Sequence, residues 1–331
     1  MTKPTGLVVM YPNAVADVYG AALAAIAGRV ELLAPPLSAE ALALRPDLLA
    51  RVDVIFSGWG APVMDERFLE QAPRLRAVFY AAGSVRGWLT EAVWRRGIVV
   101  TTAAAANAVP VAEYTVAAIL FSLKAGWRYA LGAKRLGRHP PRVRCAGGFG
   151  ARVGLVSLGL VARGVVERLR PTALTLIAHD PLVSSDEAGR LGVSLTSLIE
   201  LFRECDVISV HTPLLPETRG LIGREHFAAM KPGATLINTA RGEILREAEL
   251  IDVLTARDDL TAVLDVTNPE PPPPGSPLYT LPNVVLTPHI AGSLDGECRR
   301  LGAAMAAELD RWLRGEPLQW QLQPEHASHL A

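Results

Sequence analysis

The chain has 331 residues, of which 50% are hydrophobic and 20% are charged. This length suits two domains that each bury a core, and this composition excludes a disordered or fibrous protein. Lys plus Arg and Asp plus Glu both number 33, so the formal net charge is zero. A chain without net charge has no global field to attract nucleic acid or an anionic membrane, and we expect neither partner.

Three cysteines, Cys145, Cys205 and Cys298, lie far apart and outside any metal-ligand spacing. They predict free thiols in a reducing compartment, with no disulfide framework and no metal site. The first apolar run, residues 6–11, is interrupted at Pro12 before it could form a signal-peptide core. We also expect no apolar stretch to approach the roughly 18 residues of a membrane helix. The sequence therefore predicts a soluble, cytoplasmic protein.

The first hundred residues alternate short apolar runs with helix-like segments. Strands are predicted at 6–11, 52–58, 75–83 and 97–102, and helices at 15–27, 65–71 and 90–96. Continuous apolar strands that alternate with helices are typical of a parallel sheet covered on both faces. The mostly apolar stretch from Val111 to Leu131 contains no proline and predicts one long helix.

A second series of strand-like runs follows in the C-terminal half of the chain. The runs begin at residues 151, 173, 206, 234, 260 and 283 and are mostly separated by helix-length segments. Six such units indicate a doubly wound dinucleotide-binding domain. The proline-rich residues 269–277 lie between two strands of this domain and are interpreted as an ordered loop, and residues 295–315 predict a terminal amphipathic helix.

The first strand of this second series leads into a degraded dinucleotide fingerprint. Against G-x-G-x-x-G the chain has Ser157, Gly159 and Ala162, and the central glycine allows backbone to approach a pyrophosphate. Alone, this pattern fits a structural turn equally well. Asp180, 23 residues beyond Ser157, has the spacing of the acid that binds the adenosine ribose hydroxyls, although an Asp before Pro181 also initiates turns. No Arg or Lys follows at 181–184, which favours NAD over NADP.

Four motifs in the same half of the chain occur in a recognisable order. They are HTPLLPETRGLIG at 211–223, MKPGATLINTARGE at 230–243, LDVTNPEPPP at 264–273 and LPNVVLTPHIAG at 281–292. Together with ANAVPVAEYT at 106–115, they closely resemble the D-isomer-specific 2-hydroxyacid dehydrogenase family. That family includes glyoxylate and hydroxypyruvate reductases, phosphoglycerate dehydrogenases and D-lactate dehydrogenases.

The resemblance implies that Arg241, Glu270 and His289 are the catalytic residues. Reduction of a 2-keto acid requires a cation for the carboxylate and the carbonyl dipole, and a proton donor for the oxygen. Arginine supplies a permanently charged planar fork, and histidine exchanges protons near neutral pH when a carboxylate orients it. Singly, each residue would more often be a surface or structural residue. Together, beyond the ends of predicted strands, they favour an active site.

The resemblance also implies the residues that bind the substrate and the cofactor. Substrate contacts are expected in the loop AAGSVRG at 81–87, where Arg86 and Gly87 depart from the polar or acidic residues common in the family. Leu160 replaces a frequent arginine beside the pyrophosphate, and Asp265 is expected against the nicotinamide carboxamide. The implied substrate-binding residues are Ala82, Gly83, Ser84 and Arg241. The implied NAD-binding residues are Ser157, Gly159, Leu160, Val161, Asp180, Thr212, Thr239, Ala240, Arg241, Asp265, His289 and Gly292.

The expected fold is α/β, with two Rossmann-like or flavodoxin-like domains built on doubly wound parallel sheets. An NAD-binding domain at 104–293 is nested in a discontinuous substrate-binding domain at 1–103 and 294–331, with the active site in the cleft between them. The resemblance further implies a homodimer formed through the apolar helix after Glu113. We expect no carboxy-terminal regulatory domain, so a long-form phosphoglycerate dehydrogenase is not expected, whereas a short form or a glyoxylate or hydroxypyruvate reductase is.

The predicted function is the NAD-dependent interconversion of a small 2-keto acid and a D-2-hydroxy acid. Two alternatives remain. One is a dinucleotide-sensing binding protein similar to the family's corepressor relatives, which the altered Ser157 and Leu160 favour and the intact catalytic set opposes. The other is oxidation of formate or phosphite, which would keep hydride transfer and change the substrate.

Overall fold

A computed structural model describes residues 3–324, and the chain divides into two compact units. One unit contains the residues up to Asn107 together with those from Ser293 onward, and the other is Ala108–Gly292. Each unit is an α/β structure with its own parallel sheet, which confirms the predicted fold class.

The first unit is built on a five-stranded parallel sheet with the order β2-β1-β3-β4-β5. Its central strands are buried on both faces, which explains why they read as continuous apolar runs. The strands are β1 Thr5–Val9, β2 Glu31–Leu32, β3 Val54–Ser57, β4 Ala77–Tyr80 and β5 Val99–Thr102. The helices are α1 Val15–Tyr19, α2 Leu23–Arg29, α3 Ala39–Ala43, α4 Pro46–Leu49, α5 Glu66–Gln71 and α6 Glu91–Arg95.

The second unit is built on a seven-stranded parallel sheet, and the long helix α7 leads into it. The strands are β6 Phe149–Val156, β7 Ala173–His179, β8 Ser194–Leu195, β9 Val207–Val210, β10 Thr235–Asn238, β11 Thr261–Leu264 and β12 Val284–Leu286. The helices are α7 Ala104–Ser122, α8 Gly126–Leu136, α9 Leu160–Leu169, α10 Ser185–Leu191, α11 Leu198–Glu204, α12 Arg224–Ala229 and α13 Glu247–Ala256.

The order of this sheet is β12-β11-β10-β9-β6-β7-β8. The first strand, β6, pairs with β7 on one side and with β9 on the other. The chain therefore winds outward in one direction and then crosses back to wind in the other. Such a switch point leaves a crevice at the carboxyl ends of the two strands, where open α/β sheets bind ligands.

The prediction of one helix from Val111 to Leu131 is wrong. Helix α7 begins seven residues earlier, at Ala104, contains Pro110 and ends at Ser122. Ala125 has a left-handed backbone with φ of 51°, and α8 begins at Gly126. A side chain at Gly126 would collide with the Phe121 ring, 2.6 Å from the Cβ position. The chain thus turns sharply where the sequence pattern is continuous.

Helix α7 also corrects the expectation that no stretch approaches the length of a membrane helix. Among the described residues it is long and apolar enough, by length and composition, to cross a bilayer. The buried share of its most apolar 18-residue window is 33%. Core helices of soluble proteins meet the same criterion, so this feature is weak evidence for a membrane span.

The terminal helix α14, Arg299–Arg314, returns to the first unit and packs on α1. Gly302 permits this approach, because a Cβ there would lie 1.9 Å from the Val18 carbonyl oxygen. The fully buried carboxylate of Glu308 accepts hydrogen bonds from the backbone amides of Gln319 and Trp320. The segment after α14 pairs with the edge strand β5, where the Leu322 amide donates to the Val100 carbonyl at 2.8 Å.

Candidate active site

The residues predicted for catalysis and cofactor binding in the second unit follow the carboxyl ends of its strands. Because all seven strands are parallel, these ends lie on one edge of the sheet. The strand pattern therefore gathers positions that are more than a hundred residues apart in sequence. The segments concerned are Ser157–Val161 after β6, Asp180 after β7, Thr212 after β9, Thr239–Arg241 after β10, Asp265 after β11 and His289 after β12.

The loop that carries Arg241 is held by the last residue of β10. Asn238 is fully buried, and its side-chain amide donates to the Arg241 carbonyl at 3.0 Å. Its side-chain oxygen accepts from the Ala240 amide, also at 3.0 Å. The Arg241 guanidinium donates to the Ala240 carbonyl at 2.6 Å. This network fixes the backbone from which the guanidinium projects.

His289 and Glu270 form a direct pair. The His289 Nδ1 lies 2.7 Å from Glu270 Oε1, and the two side chains are 48% and 40% exposed. Nδ1 therefore faces the carboxylate, and Nε2 is the nitrogen left to exchange a proton with a bound molecule. This is the arrangement expected of an acid-base histidine oriented by a carboxylate.

Close packing beside Arg241 holds the loop that carries Glu270. A Cβ on Gly242 would lie 2.0 Å from the Thr267 carbonyl carbon, so only glycine fits there without a shift of backbone. The Thr267 amide in turn donates to Glu270 Oε2 at 3.3 Å. The arginine-glycine pair thus links the loop after β10 to the loop after β11.

Asp265 organises the loop that carries His289, a role that sequence reasoning missed. Its side chain is 1% exposed. Oδ1 accepts from the Thr287 hydroxyl at 2.6 Å and from the Ile290 amide at 2.8 Å, and Oδ2 accepts from the Ala291 amide at 2.9 Å. The proposed contact with the nicotinamide carboxamide stays a prediction. A buried Asp directly after a strand was the available signal.

The turn after β6 has the geometry of a phosphate-binding loop in spite of Ser157. Ser157 takes the left-handed backbone, with φ of 76°, that the usual glycine adopts freely. Its hydroxyl donates to Thr212 Oγ1 at 3.1 Å. Within residues 3–324, no heavy atom lies within 4 Å of a Cβ placed on Gly159, and no side chain caps the first turn of α9.

Asp180 ties this turn to the next strand. Its Oδ2 accepts from the Leu158 amide and its Oδ1 from the Leu182 amide, each at 2.8 Å. The turn-forming role considered for an Asp before proline is therefore real. Each carboxylate oxygen has a further lone pair, so these bonds leave acceptor capacity for ribose hydroxyls.

These features fit a bound NAD. The open space at Gly159 and the uncapped amides of Leu160 and Val161 suit a pyrophosphate. Asp180 suits the ribose hydroxyls, and Thr212 lies buried across the switch point from Ser157. Thr239 is fixed to α7 by a 3.2 Å hydrogen bond between its hydroxyl and that of Thr115. Ala240 follows Thr239, and Gly292 lies in the loop after β12.

Two other histidines of this unit, His211 and His226, are poor proton donors. Burial lowers the pKa of His211 to about 4, and its Nε2 lies 3.0 Å from the Ser209 hydroxyl. Burial also lowers the pKa of His226, whose Nδ1 is 3.2 Å from the Gly223 amide. His289, with its exposed ring beside Glu270, is the better candidate.

The predicted substrate loop lies in the first unit, after β4. Val85 and Trp88 are buried and anchor it, whereas Arg86 and Gly87 are exposed. Within the described residues, the amides of Gly83 and Ser84 donate to no acceptor in the protein. Ala82 is buried at the start of the loop, and its carbonyl accepts from the Ala103 amide at 3.1 Å.

Comparisons with known proteins agree with this geometry. Residues 124–291 match the family model of the D-isomer-specific 2-hydroxyacid dehydrogenase NAD-binding domain. A D-3-phosphoglycerate dehydrogenase of Archaeoglobus fulgidus is 33% identical over 256 residues, which cover 77% of this chain and 49% of the relative. The chain thus spans about half the length of that relative.

Two further comparisons extend over most of both proteins. A glyoxylate reductase of Korarchaeum cryptofilum is 32% identical over 258 residues, 76% of this chain and 77% of the relative. The crystal structure of the TT0316 protein from Thermus thermophilus superposes with a TM-score of 0.77 and 29% identity, covering 96% of this chain and 100% of the other.

The Asp180 environment predicts a preference for NADH over NADPH. A 2′-phosphate would approach this carboxylate, and the nearby Arg163 is already paired with Glu187 and bonded to the Leu158 carbonyl. Because like-charge contacts cost about 3 kcal/mol, we expect kcat/KM to favour NADH by about 100-fold. Steady-state rates with both cofactors measure the ratio. Equal use of the two would mean that Asp180 does not select the cofactor.

Proposed function

The chain belongs to the D-isomer-specific 2-hydroxyacid dehydrogenase family, and we propose that it interconverts a small 2-keto acid and the corresponding D-2-hydroxy acid with NAD(H). The observation that carries this proposal is the His289–Glu270 pair, with its 2.7 Å hydrogen bond, on the same sheet edge as Arg241. A binding protein that only senses the dinucleotide has no need for this combination.

In the reductive direction, His289 is the proton donor. The carbonyl π bond of the keto acid breaks as hydride arrives at its carbon, and the oxygen takes a proton from Nε2 of His289. NADH supplies the hydride when bound. Glu270 stabilises the imidazolium form through its bond to Nδ1 and fixes the ring orientation. In the oxidative direction, the neutral ring accepts the proton from the hydroxyl group.

Arg241 has the complementary role of binding and polarising the substrate. Its planar fork can donate two parallel hydrogen bonds to a carboxylate and can stabilise negative charge that develops on the keto oxygen. Asn238 and Gly242 hold the backbone of the arginine loop, so these residues affect catalysis through position.

The test of this function is NADH oxidation against glyoxylate, hydroxypyruvate, pyruvate and larger 2-keto acids. Turnover of at least one of them, with the D-hydroxy acid as product, supports the proposal. Tight NADH binding without turnover of any of them would instead indicate a dinucleotide-sensing protein. Formate and phosphite, assayed with NAD⁺, belong in the same panel.

Replacement of His289 by Ala should remove the proton donor. Loss of a positioned general acid lowers kcat by about 10²- to 10⁴-fold, while NADH binding, followed by fluorescence, should persist. The matched control is His139→Ala, which removes an exposed histidine from the loop after α8. Near-normal turnover in His289→Ala would overturn the mechanism.

The Glu270→Gln variant tests the carboxylate in the same assay. Without its negative charge the imidazolium loses its proton more easily, so the reductive rate should decline at a lower pH than in the wild type. The variant should keep partial activity because the amide can still accept a hydrogen bond from Nδ1. A pH profile identical to that of the wild type would exclude electrostatic support by Glu270.

Arg241→Lys keeps the positive charge and loses the fork. We expect kcat/KM to fall by about 10- to 100-fold, because a charge-assisted bidentate interaction is replaced by a point charge on a flexible stem. Steady-state kinetics with the best keto acid measure this loss, with the exposed Arg142→Lys as the control. Wild-type kinetics in Arg241→Lys would rule out the proposed carboxylate contact.

We further propose that the chain forms a homodimer in the cytoplasm. Exposed apolar side chains lie along α7 and at the start of β6, with Leu120 at 42%, Phe121 at 43% and Phe149 at 89% exposure. Light scattering should report twice the chain mass of 35.4 kDa, and Phe149→Asp should shift the mass toward the monomer. A monomeric wild type would refute the dimer.

The cytoplasmic location is supported by the three free cysteines, because thiols stay reduced in a reducing compartment. Cell fractionation tests this location.

A further inference from the structure

A chain of hydrogen bonds connects helix α7 to the loop of His289. The Tyr114 hydroxyl lies 3.1 Å from the Thr287 hydroxyl, and Thr287 lies 2.6 Å from Asp265 Oδ1. The same carboxylate holds the amides of Ile290 and Ala291. Tyr114 has no part in the roles assigned above. Its hydroxyl nevertheless reaches the network that surrounds the proton donor.

The chemistry of these groups sets the direction of each bond. An ionised carboxylate only accepts hydrogen bonds, so the Thr287 hydroxyl must donate its hydrogen to Asp265. Thr287 then has only lone pairs to offer on its other side, and Tyr114 must be the donor to Thr287. Burial raises the pKa of Tyr114, as does the nearby charge of Asp265, so the phenol keeps its proton. The order of donation is therefore Tyr114 to Thr287 to Asp265.

The backbone of His289 explains why this network matters. His289 has φ of 55°, the left-handed conformation that a residue with a Cβ rarely adopts. Its amide is held by the carbonyl of Asp265 at 2.9 Å and by that of Thr287 at 3.1 Å. Asp265 thus binds the loop through its carbonyl and through both carboxylate oxygens. A residue in such a conformation persists only when its surroundings over-determine it.

We infer that Tyr114 is a positioning residue for His289, acting from helix α7 through Thr287 and Asp265. By completing the hydrogen bonds of Thr287, the phenol holds the Thr287 side chain in the rotamer that serves Asp265. Asp265 in turn keeps the His289 ring at Glu270. The expected effect on kcat rests on the proposed function. The expected effect on the position of the His289 ring rests on the hydrogen bonds alone.

The kinetic experiment compares Tyr114→Phe, Thr287→Val, Thr287→Ser and the double variant Tyr114→Phe/Thr287→Val. We expect Tyr114→Phe to lower kcat for keto-acid reduction by about 3- to 10-fold, the loss that one ordinary hydrogen bond causes, with KM and NADH binding little changed. Thr287→Val should lose more. Thr287→Ser keeps the hydroxyl and should retain most of the activity.

The double variant tests whether Tyr114 acts through Thr287. If it does, adding Tyr114→Phe to Thr287→Val should cause no further loss, since the link is already broken. Tyr129→Phe is the matched control, because Tyr129 on α8 also uses its hydroxyl, bonding the Val143 amide at 2.8 Å. Wild-type kcat in Tyr114→Phe, or losses that multiply in the double variant, would overturn the inference.

A spectroscopic measurement separates this inference from the proposed function. Nitrogen-15 NMR of the imidazole rings, with His289→Ala to assign the signal, reports which ring nitrogen of His289 carries the proton. The wild type should show one tautomer, with Nδ1–H facing Glu270, and Tyr114→Phe should show a second population. This result requires no turnover. An inactive wild type with the expected NMR change would refute the function alone, whereas unchanged His289 signals in Tyr114→Phe would refute the positioning role.

Discussion

The parallel pairing of seven strands is the constraint on which the candidate active site depends. Neighbouring parallel strands present their carboxyl ends on one edge, so each crossover helix returns the chain to the opposite edge before the next strand begins. The loops after β6, β10 and β12 therefore lie along the same edge of the sheet. Short segments can then carry cofactor, substrate and proton-transfer groups while the strands supply rigidity.

Two contacts between the loops at this edge of the sheet fix the geometry of the candidate active site. Gly242 lets the backbone at Thr267 pack directly on the arginine loop, and Asp265 ties the end of β11 to the loop after β12. Arg241, Glu270 and His289 thus belong to one hydrogen-bonded and packed assembly. An Ala at position 242 would displace backbone, which explains why a glycine must follow the arginine.

Much of this arrangement could be predicted from the sequence, because strand-helix alternation and motif order are local signals. The parallel fold and the family are confirmed. The contacts of each site residue could not be predicted from these local signals, because the contacts join segments that are far apart in the chain. The carboxylate of Asp265, for example, meets the amide of Ala291 26 residues away. The pattern of apolar residues along the chain does not indicate that the Asp265 carboxylate accepts three hydrogen bonds.

The helix after β5 is an element that the sequence predicted wrongly. The mostly apolar sequence from Val111 to Leu131 contains no proline, yet the first helix ends at Ser122 and a second begins at Gly126. Alanine strongly favours the helix, so packing must impose the left-handed backbone of Ala125. The Phe121 and Trp127 rings on either side of it pack edge to face, with their centroids 4.6 Å apart. Helix propensity is a weak prior, and tertiary contacts determine where the helix ends.

At the cofactor loop, Ser157 has an unfavourable local backbone conformation and a hydrogen bond to a residue far away in sequence. A left-handed residue with a side chain costs about 1–2 kcal/mol relative to glycine, so the substitution should weaken the turn. Its hydroxyl recovers part of that cost by bonding Thr212, which itself donates to the Val156 carbonyl at 3.3 Å. The loops after β6 and β9 are thereby joined across the switch point, a link that glycine could not make. The departure from the fingerprint thus changes how the turn is held and preserves its backbone shape.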